Sequence, residues 1–393
     1  VFAAGLLCYF KYTNFILQTL RLPKVSVLPA PVGVSFLTFL LISYLADVYR
    51  GRIPAETRFS RFFLYALYFP KAAQGPLCRY GDFSAQLDGC TQDAALPDEG
   101  VSRLILGLGK KVLLSGAAGA VAKDAFGLPA ASLTPVYAWA GAVCYAMQLY
   151  FDFSGYTDMA LGLSLCFGIR LPENFNSPYL AVSVTDFWRR WHISLSGWFR
   201  DYVYIPLGGN RKHVYLNLFV VWALTGLWHG ASWNFVLWGL YFFVLLCIER
   251  LLRNGLSRIP KPVRHLVTLV LILFSWNIFY HTDLTRLLES FRILFGLSGS
   301  GFTNETTNLL LRNNLPLLLV CAVGCTAIPQ FTGNVIGLLC AEKRDDGVGH
   351  KVYAALTFVF DLALLALATI SLAGSSYLSL IHISEPTRLG MIS

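Results

Sequence analysis

The sequence contains few charged residues. Asp, Glu, Lys and Arg make up 13% of its 393 residues, hydrophobic residues make up 55%, and the mean hydropathy is +0.56. Soluble domains carry about 25% charged residues, so this shortage excludes an ordinary soluble protein. Apolar runs such as "VYAALTFVFDLALLALATISLAG" reach the roughly 20 residues that a helix needs to cross a bilayer. We therefore expect an all-α integral membrane protein with several spans.

Other apolar runs are shorter or are interrupted by polar residues. Such segments are tolerated at membrane depth only where protein or a water-filled cavity shields their backbone. We therefore expect a multi-helix bundle around a central tunnel. The apolar segments predict helices near residues 1–20, 32–49, 60–77, 102–122, 134–150, 154–168, 214–229, 231–249, 266–281, 313–335 and 352–373.

The sequence also lacks familiar catalytic signatures and internal repeats. It has no GxSxG nucleophile elbow, no recognisable Ser-His-Asp order and no phosphate loop of the CoA-binding type. Its nine cysteines lie mostly in apolar runs, and the spacing of Cys321 and Cys325 predicts one face of a buried helix, not a zinc site. We expect no metal and no bound cofactor. The absence of repeats also disfavours a transporter.

The net charge of +9 would suggest nucleic-acid binding in a soluble protein. In membrane proteins, however, Lys and Arg collect in cytoplasmic loops. The clearest such loop is "ERLLRNGLSRIPKPVRH", residues 249–265, and Arg211 and Lys212 mark another. We place both loops on the cytoplasmic side and expect the lipid bilayer, not nucleic acid, as the partner.

The two ends differ from the rest of the sequence. The chain starts with Val1 and is already apolar at Phe2, so we expect that N-terminal spans are missing. The polar ending "LIHISEPTRLGMIS" has no pattern and fits nothing before it. We therefore assign residues 1–377 to one transmembrane domain and expect 378–393 to be a non-native tail.

Residues 186–212, "DFWRRWHISLSGWFRDYVYIPLGGNRK", form the densest polar and aromatic segment. A helix over 187–202 would align an aromatic stripe with helical spacing: Trp188, Trp191, His192, Leu195, Trp198 and Phe199. The opposite face carries Arg189, Arg190, Arg200 and Asp201, and Asp186 stands where an N-cap belongs. This pattern predicts an amphipathic helix that lies at the membrane interface or enters it as a re-entrant element.

Two histidines are candidate functional groups. His192 lies in the aromatic stripe, where it is either a packed, hydrogen-bonded residue or a polar group directed into a cavity. His229 falls where the apolar run 215–248 is divided into two spans, between Gly226 and Gly230. Small residues allow helices to approach closely, and an ionisable group in a membrane segment indicates a functional site. A purely structural role for His229 remains an alternative.

Asp152 and Asp158 lie in apolar surroundings within "QLYFDFSGYTDMALGLSLCFGIRLPENFNSPY", residues 148–179. Helix capping and hydrogen bonding between helices are their simplest roles. They could instead orient a substrate or a histidine. The sequence around Asp152 and Asp158 favours the structural role slightly.

A buried histidine can accept and return a proton near neutral pH. Acyl transfer from a thioester to a hydroxyl needs such a base, together with donors for the developing oxyanion. A basic rim formed by Arg189, Arg190 and Arg200 could hold an anionic donor by its charge. These residues by themselves define a buried polar site in a membrane protein and do not name its reaction.

Several motifs in order resemble the membrane-bound O-acyltransferase (MBOAT) family, and most closely its alginate O-acetyltransferase branch. They are "VGVSFLTFLLISYLADVYRG", "YFPKAAQGPLCRYGDFSAQL", "YFDFSGYTDMALGLSLCFGIRLPENFNSPY", "DFWRRWHISLSGWFRDYVYIPLGGNR" and "GLWHGASWNFVLWG". The resemblance extends from about residue 10 to residue 377. It implies a bacterial inner-membrane enzyme whose helices surround a tunnel, with re-entrant or interfacial helices.

The resemblance also implies the chemistry. His229 would be the catalytic histidine and His192 the second signature histidine, and acetyl-CoA or an acyl-carrier thioester would be the donor. Acetyl groups would pass to an extracytoplasmic SGNH-type acetyltransferase or to a polysaccharide. Substrate contacts are expected from Trp188, Arg189, Arg190, Trp191, Arg200, Asp201, Trp228, Asp152, Asp158 and Asn234.

Three alternatives remain open. A related branch transfers D-alanine to teichoic acid from a carrier protein, although "YIPLGGN" favours the alginate-like branch. A transporter would move an acylated carrier without chemistry. A scaffold would recruit an extracytoplasmic enzyme and would tolerate replacement of both histidines.

Overall fold

The computed structural model describes residues 2–88, 96–297, 299, 301–329 and 348–374. Apart from an isolated β-bridge between Phe175 and Trp191, the regular structure of these residues is helical, which confirms the all-α prediction. The expected tail, 378–393, lies outside the described residues. The α-helices are α1 (Phe2–Thr19), α2 (Val34–Tyr49), α3 (Phe59–Leu67), α4 (Phe69–Ala72), α5 (Tyr80–Asp88), α6 (Leu96–Gly109), α7 (Gly116–Gly127), α8 (Pro135–Cys166), α9 (Val184–Arg190), α10 (Ile193–Phe199), α11 (Val214–His229), α12 (Trp233–Leu251), α13 (Arg253–Leu256), α14 (Lys261–Tyr280), α15 (Leu284–Leu294), α16 (Glu305–Gly324) and α17 (Val348–Gly374).

Five helical segments in the described part of the chain are long and apolar enough to cross a membrane. They are Pro97–Gly127, Trp233–Leu251, Lys261–Tyr280, Glu305–Gly324 and Lys351–Ala373. The apolar helices α2 and α11 have 16 residues each. At 1.5 Å per residue each is about 24 Å long, which is shorter than the hydrocarbon layer.

The longest helix, α8, packs antiparallel against the continuous helical segment made by α6, a π-helical turn (Lys110–Ser115) and α7. Its 32 residues replace the two predicted helices, 134–150 and 154–168, so the predicted break was wrong. Gly155, just inside the predicted second helix, lies against Gly107. A Cβ at Gly107 would be 2.5 Å from the Gly155 carbonyl oxygen. The glycines therefore permit a close helix approach and do not end the helix.

The predicted single helix over 187–202 was also wrong. Helix α9 ends at Arg190, Trp191 is extended, and His192 adopts a left-handed conformation with φ 46° and ψ 52° before α10 begins. The preceding loop holds this break through its backbone. The Asn176 N–H donates to the Arg190 carbonyl at 2.9 Å, and the Ile193 N–H donates to the Asn174 carbonyl at 3.0 Å.

The cap of α9 also differs from the prediction. Ser183 is the N-cap, and its hydroxyl oxygen accepts the N–H of Asp186 at 3.1 Å. Asp186 lies within the first turn, where its carboxylate accepts the Val182 N–H at 3.1 Å and pairs with Arg190 at 2.9 Å.

The break at His192 divides the aromatic stripe between two hydrophobic cores. Phe187 and Trp191 belong to a core that includes Trp238 and Trp276. Leu195, Trp198 and Phe199 belong to a second core, which they share with α2 and α5. The segment is therefore a connection between two packed units, not one amphipathic surface helix.

Other helix boundaries moved. The predicted helix 60–77 ends at Ala72, and Tyr68 separates α3 from α4, where Pro70 lies in the first turn. The helix predicted at 102–122 begins earlier, at Leu96. The predicted helix 313–335 begins at Glu305 and ends at Gly324, and residues beyond 329 in it lie outside the described part.

Candidate active site

His229 is the last residue of α11. Its imidazole is surrounded by aromatic rings, with centroid distances of 4.7 Å to Trp228, 4.8 Å to Trp238 and 5.2 Å to Phe279. The residue remains partly accessible, and among the described residues none hydrogen-bonds to its ring. Its ring nitrogens are therefore available to a ligand.

Close helix packing sets the position of His229. A Cβ at Gly226 would lie 2.5 Å from the Phe235 carbonyl oxygen and 3.3 Å from the Gly239 Cα. Helices α11 and α12 consequently approach closely just before the histidine, as the small residues predicted.

His192 is buried, with 3% of its surface exposed. Its Nδ1 lies 3.2 Å from Asn174 Oδ1, and its ring meets Phe153 edge-on at 4.6 Å. Burial lowers the pKa of His192 to about 3, because the charged form would lose its hydration. The imidazole is therefore neutral in the physiological range. His192 is thus packed and hydrogen-bonded, and its role in the site stays a prediction.

Trp228 joins the two histidines. Its ring lies 6.2 Å from the His192 ring and 4.7 Å from the His229 ring. Its other neighbours, Phe36 and Phe39 at 5.8 Å each, come from α2. The fold thus brings both sequence-predicted histidines to one place, where the two hydrophobic cores meet.

Three indole N–H groups near this junction are buried and have no hydrogen-bond partner within the described residues: those of Trp188, Trp228 and Trp238. Buried donors are normally paired, so unpaired ones indicate a bound water or ligand. Two of these rings, Trp228 and Trp238, contact His229. They are donors that could stabilise a developing oxyanion.

Sequence reasoning missed two residues of α1 that lie beside the site. Lys11 Nζ donates to the Trp228 carbonyl, and Tyr12 OH donates to the Leu227 carbonyl at 2.7 Å. Both carbonyls are in the last turn of α11, where backbone acceptors lack intrahelical partners. Lys11 therefore brings a cation next to His229. Lysine within the first apolar segment was the available signal.

Two cavities flank α10, and Arg200 lines both. The larger, about 350 Å³, has a mixed polar lining that includes Ser43, Cys78, Arg79, Asp82, Glu173, Ser194 and Arg200. The smaller, about 170 Å³, has a mostly apolar lining that includes Trp188, Leu195, Phe199, Leu218, Val221, Trp222 and Thr225. Thr225 precedes His229 by one helical turn, so the smaller cavity lies on the face of α11 that leads to His229.

The three arginines of the predicted basic rim lie in different surroundings. Arg200 pairs with Asp201 at 2.7 Å, and Arg79 makes a second pair with that carboxylate. Burial alone would raise the pKa of Asp201, but the hydrogen bonds from both arginines outweigh it and hold that pKa below its usual value. Arg189 is exposed, and Arg190 is engaged with Asp186. Only Arg200 of the predicted rim lines a cavity.

The two aspartates of α8 make ion pairs between helices. Asp158 pairs with Arg103 at 3.0 Å and with Lys110 at 2.6 Å, and Asp152 pairs with Lys111 at 2.6 Å. These contacts support the structural reading over a direct role beside a histidine.

The remaining candidates have packing or bridging positions. Asn234 is fully buried, and its amide donates to the carbonyls of Ile278 and Phe279 at 3.4 and 3.1 Å. It ties the start of α12 to the end of α14. Trp191 packs in the first core against Trp276 at 5.0 Å, whereas Trp188 reaches the smaller cavity.

The fold and the site define a multi-pass helical membrane protein in which two histidines contact one tryptophan ring at the junction of two cores. The chain belongs to the membrane-bound O-acyltransferase family, whose model matches residues 30–291. This confirms the family indicated by the sequence motifs.

Curated relatives agree with this assignment. The chain is 41% identical over 300 residues to the "Probable alginate O-acetylase AlgI" of Pseudomonas aeruginosa, covering 73% of this chain and 57% of the relative. It is 37% identical over 384 residues to the same-named protein of Azotobacter vinelandii, covering 92% and 76%. It is 37% identical over 334 residues to the "Peptidoglycan O-acetyltransferase" of Helicobacter pylori, covering 75% and 63%. The chain thus spans little more than half the length of the Pseudomonas relative.

Proposed function

We propose that this protein is an O-acetyltransferase that takes an acetyl group from a cytosolic thioester and passes it across the bacterial inner membrane for modification of an extracytoplasmic polysaccharide. The observation that carries the proposal is the site at Trp228, whose ring contacts both histidines in a member of an O-acyltransferase family. The names of the relatives support acetyl transfer to alginate or peptidoglycan.

His229 serves as the base. Its ring is partly accessible and has no hydrogen-bond partner among the described residues, so a nitrogen can take the proton of the acceptor hydroxyl. The hydroxyl oxygen then forms a bond to the thioester carbonyl carbon. When the tetrahedral intermediate collapses, the carbon–sulfur bond breaks and the imidazolium returns its proton to the departing sulfur. His192 assists from its position against the Trp228 ring.

The indole N–H groups of Trp228 and Trp238 are suited to the oxyanion. Both are buried and unpaired within the described residues, and both rings contact His229. A preorganised donor of this kind contributes roughly 100- to 1,000-fold to the rate.

The donor enters along the smaller cavity. Its apolar lining suits an uncharged thioester arm, and Thr225 leads to His229 along α11. Arg200 lines both cavities, and Arg79 pairs with the same carboxylate, that of Asp201. Guanidinium groups hold phosphate well, so the anionic part of acetyl-CoA, or of an acyl carrier, fits this end. The donor is a substrate, and the proposal needs no resident cofactor.

The acceptor is an extracytoplasmic polysaccharide or an SGNH-type acetyltransferase that passes the acetyl group to one. D-alanyl transfer from a carrier protein to teichoic acid is the competing reaction of the same site. An assay with purified protein in lipid vesicles distinguishes the two reactions. The protein is given acetyl-CoA in one experiment and a D-alanyl carrier thioester in another, and the thioester that is consumed identifies the reaction.

His229→Ala tests the proposed chemistry. Without the base we expect acetylation of the cell-surface polysaccharide to fall at least about 100-fold at matched protein levels. The control is His213→Asn, because His213 is exposed at the start of α11 with a positive φ of 48° that Asn tolerates.

Three outcomes would overturn the proposal. Full acetylation by a well-expressed His229→Ala protein would exclude His229 as the base. Retained function after replacement of both histidines would favour a scaffold. Transport of an intact acylated carrier into vesicles would favour a transporter.

A further inference from the structure

Asn174 lies at the centre of a buried hydrogen-bond network beside His192. It is fully buried in the loop between α8 and α9. Its Oδ1 lies 3.1 Å from the Ser194 backbone nitrogen, 2.9 Å from Ser194 Oγ and 3.2 Å from His192 Nδ1. Ser194 Oγ also accepts the Leu77 N–H at 3.0 Å.

This network determines which atoms carry hydrogen. A backbone N–H can only donate, so the Asn174 atom that faces Ser194 must be the amide oxygen. An amide oxygen can only accept, so His192 Nδ1 must carry the proton that points at it. A neutral imidazole has one N–H, and His192 Nε2 is therefore left with a free lone pair.

The free nitrogen points to a role beyond packing. His192 Nε2 is buried and has no hydrogen-bond partner within the described residues. The ring of Trp228 contacts the rings of both His192 and His229. A buried acceptor nitrogen without a donor costs free energy. A bound ligand whose hydroxyl donates to Nε2 would remove this cost.

Asn174 also holds the backbone of His192. Its carbonyl accepts the Ile193 N–H at 3.0 Å, next to the left-handed φ of 46° at His192. A left-handed conformation is unfavourable for a histidine and persists only when its surroundings fix it. One residue thus fixes both the backbone and the ring of His192.

We propose that Asn174 is a positioning residue that fixes the Nδ1–H tautomer of His192 and presents Nε2 to the reaction as a hydrogen-bond acceptor. This deepens the proposed function and rests on it only for the part that concerns the reaction. In this form His192 orients the bound acceptor by accepting a hydrogen bond from a second hydroxyl, while His229 removes the single proton of the reacting hydroxyl. The opposite tautomer would present an N–H and could not accept that hydrogen bond.

The tautomer can be measured without any substrate. In protein labelled with ¹⁵N in its histidine rings, the Nδ1 and Nε2 shifts identify the protonated nitrogen, and loss of a signal in His192→Gln assigns it to His192. We expect the Nδ1–H form in the unaltered protein and a shift toward the Nε2–H form in Asn174→Ala. Asn176→Ala is the matched control, because Asn176 lies two residues along the same loop with an exposed side chain and backbone contacts only.

Kinetics provide the second readout. Asn174→Ala should lower kcat at least about tenfold with little change in the donor KM, since the tautomer affects the reacting arrangement and not donor binding.

Asn174→Asp keeps an acceptor oxygen and should retain the tautomer. Its negative charge should raise the pKa of His192 and move the acid limb of the pH–rate profile upward.

The outcomes separate the two proposals. An Nε2–H tautomer in the unaltered protein, or an unchanged tautomer in Asn174→Ala, would overturn the role of Asn174, and the first result needs no variant to fold. A changed tautomer in a protein that consumes no acyl thioester would instead overturn the proposed function and leave the positioning role intact.

Discussion

Buried ionisable side chains in the described part of the chain are accommodated in different ways. Asp158 has two cationic partners, whereas His192 is neutral because burial lowers its pKa. Lys71 is a third case. Only 1% of Lys71 is exposed, and its Nζ has no hydrogen-bond partner within the described residues. This Nζ lies 3.6 Å from the ring centroid of Tyr65 and 4.8 Å from that of Phe83. The two ring faces favour the ammonium, but burial lowers the pKa of Lys71 to about 7.

Lys71 should make stability depend on pH. Between about pH 7 and its ordinary pKa of 10.5, the unfolded chain binds a proton that the folded chain does not, so stability rises with pH across this window. Below pH 7 both states are protonated and the full cost of burying the ammonium is present. We expect Lys71→Met to raise the midpoint of thermal unfolding at pH 6 on the order of 5 °C, and less at pH 9.

Thermal unfolding in detergent at the two pH values measures this effect. Lys24→Met, at an exposed position, is the control and should leave the pH dependence unchanged. A lower midpoint for Lys71→Met at pH 6 would mean that the aromatic faces stabilise the ammonium by more than its burial costs.

At the scale of elements, helix contacts through glycine determine the architecture around α8. Gly107 and Gly155 lie against each other, and a Cβ on either would come 2.5 or 2.6 Å from the other's carbonyl oxygen. The same helix pair carries the ion pairs of Asp158 with Arg103 and Lys110. Backbone proximity therefore determines whether these charges can reach one another.

Gly107→Ala should destabilise the protein by about 1–3 kcal/mol, because the added methyl group collides with the backbone of α8 and forces the helices apart. Gly116→Ala adds the same methyl group to the same long helical segment, where it meets no atom within 4 Å. That control should be neutral or stabilising by up to about 1 kcal/mol. The unfolding midpoints of the two variants test whether α6 and α8 approach closely at Gly107. Equal midpoints for Gly107→Ala and Gly116→Ala would contradict this close approach.

At the scale of the whole molecule, the helical hairpin of α11 and α12 gathers the basic loops on one side. Arg250, near the end of α12, donates to Asn210, just before α11, at 3.1 Å. The basic segment after α12 is therefore on the same side as Arg211 and Lys212. Helix α14, which is long and apolar enough to cross a membrane, leads through α15 to the loop that contains Thr303.

This arrangement predicts which loops face the cytoplasm. In a Cys8→Ser background, which removes an exposed native thiol, cysteines at Lys212 and Ser257 should react with a membrane-impermeant maleimide only after spheroplasts are broken. A cysteine at Thr303 should react in intact spheroplasts. Labelling of Lys212→Cys and Ser257→Cys from opposite sides would contradict the hairpin, and labelling of both from outside would reverse the orientation.

Hydropathy and residue order determined the membrane class, most of the helices and the family. The apolar run that predicts 214–229 coincides with α11 (Val214–His229), because a helix in hydrocarbon must satisfy its backbone internally and its length follows from composition. The motifs also identified His192 and His229 as candidates. Their assigned roles remain proposals that rest on the geometry around Trp228.

Only the tertiary structure decided how these pieces meet. Side-chain periodicity runs through residues 187–202 without showing the break at His192, because the loop at Asn174 holds that break through backbone hydrogen bonds. The ion pairs of Asp152 and Asp158, and the place of Lys11 at the end of α11, likewise join segments far apart in sequence. Periodicity is a local property of one segment, whereas a site made by several segments depends on how closely their backbones can pack.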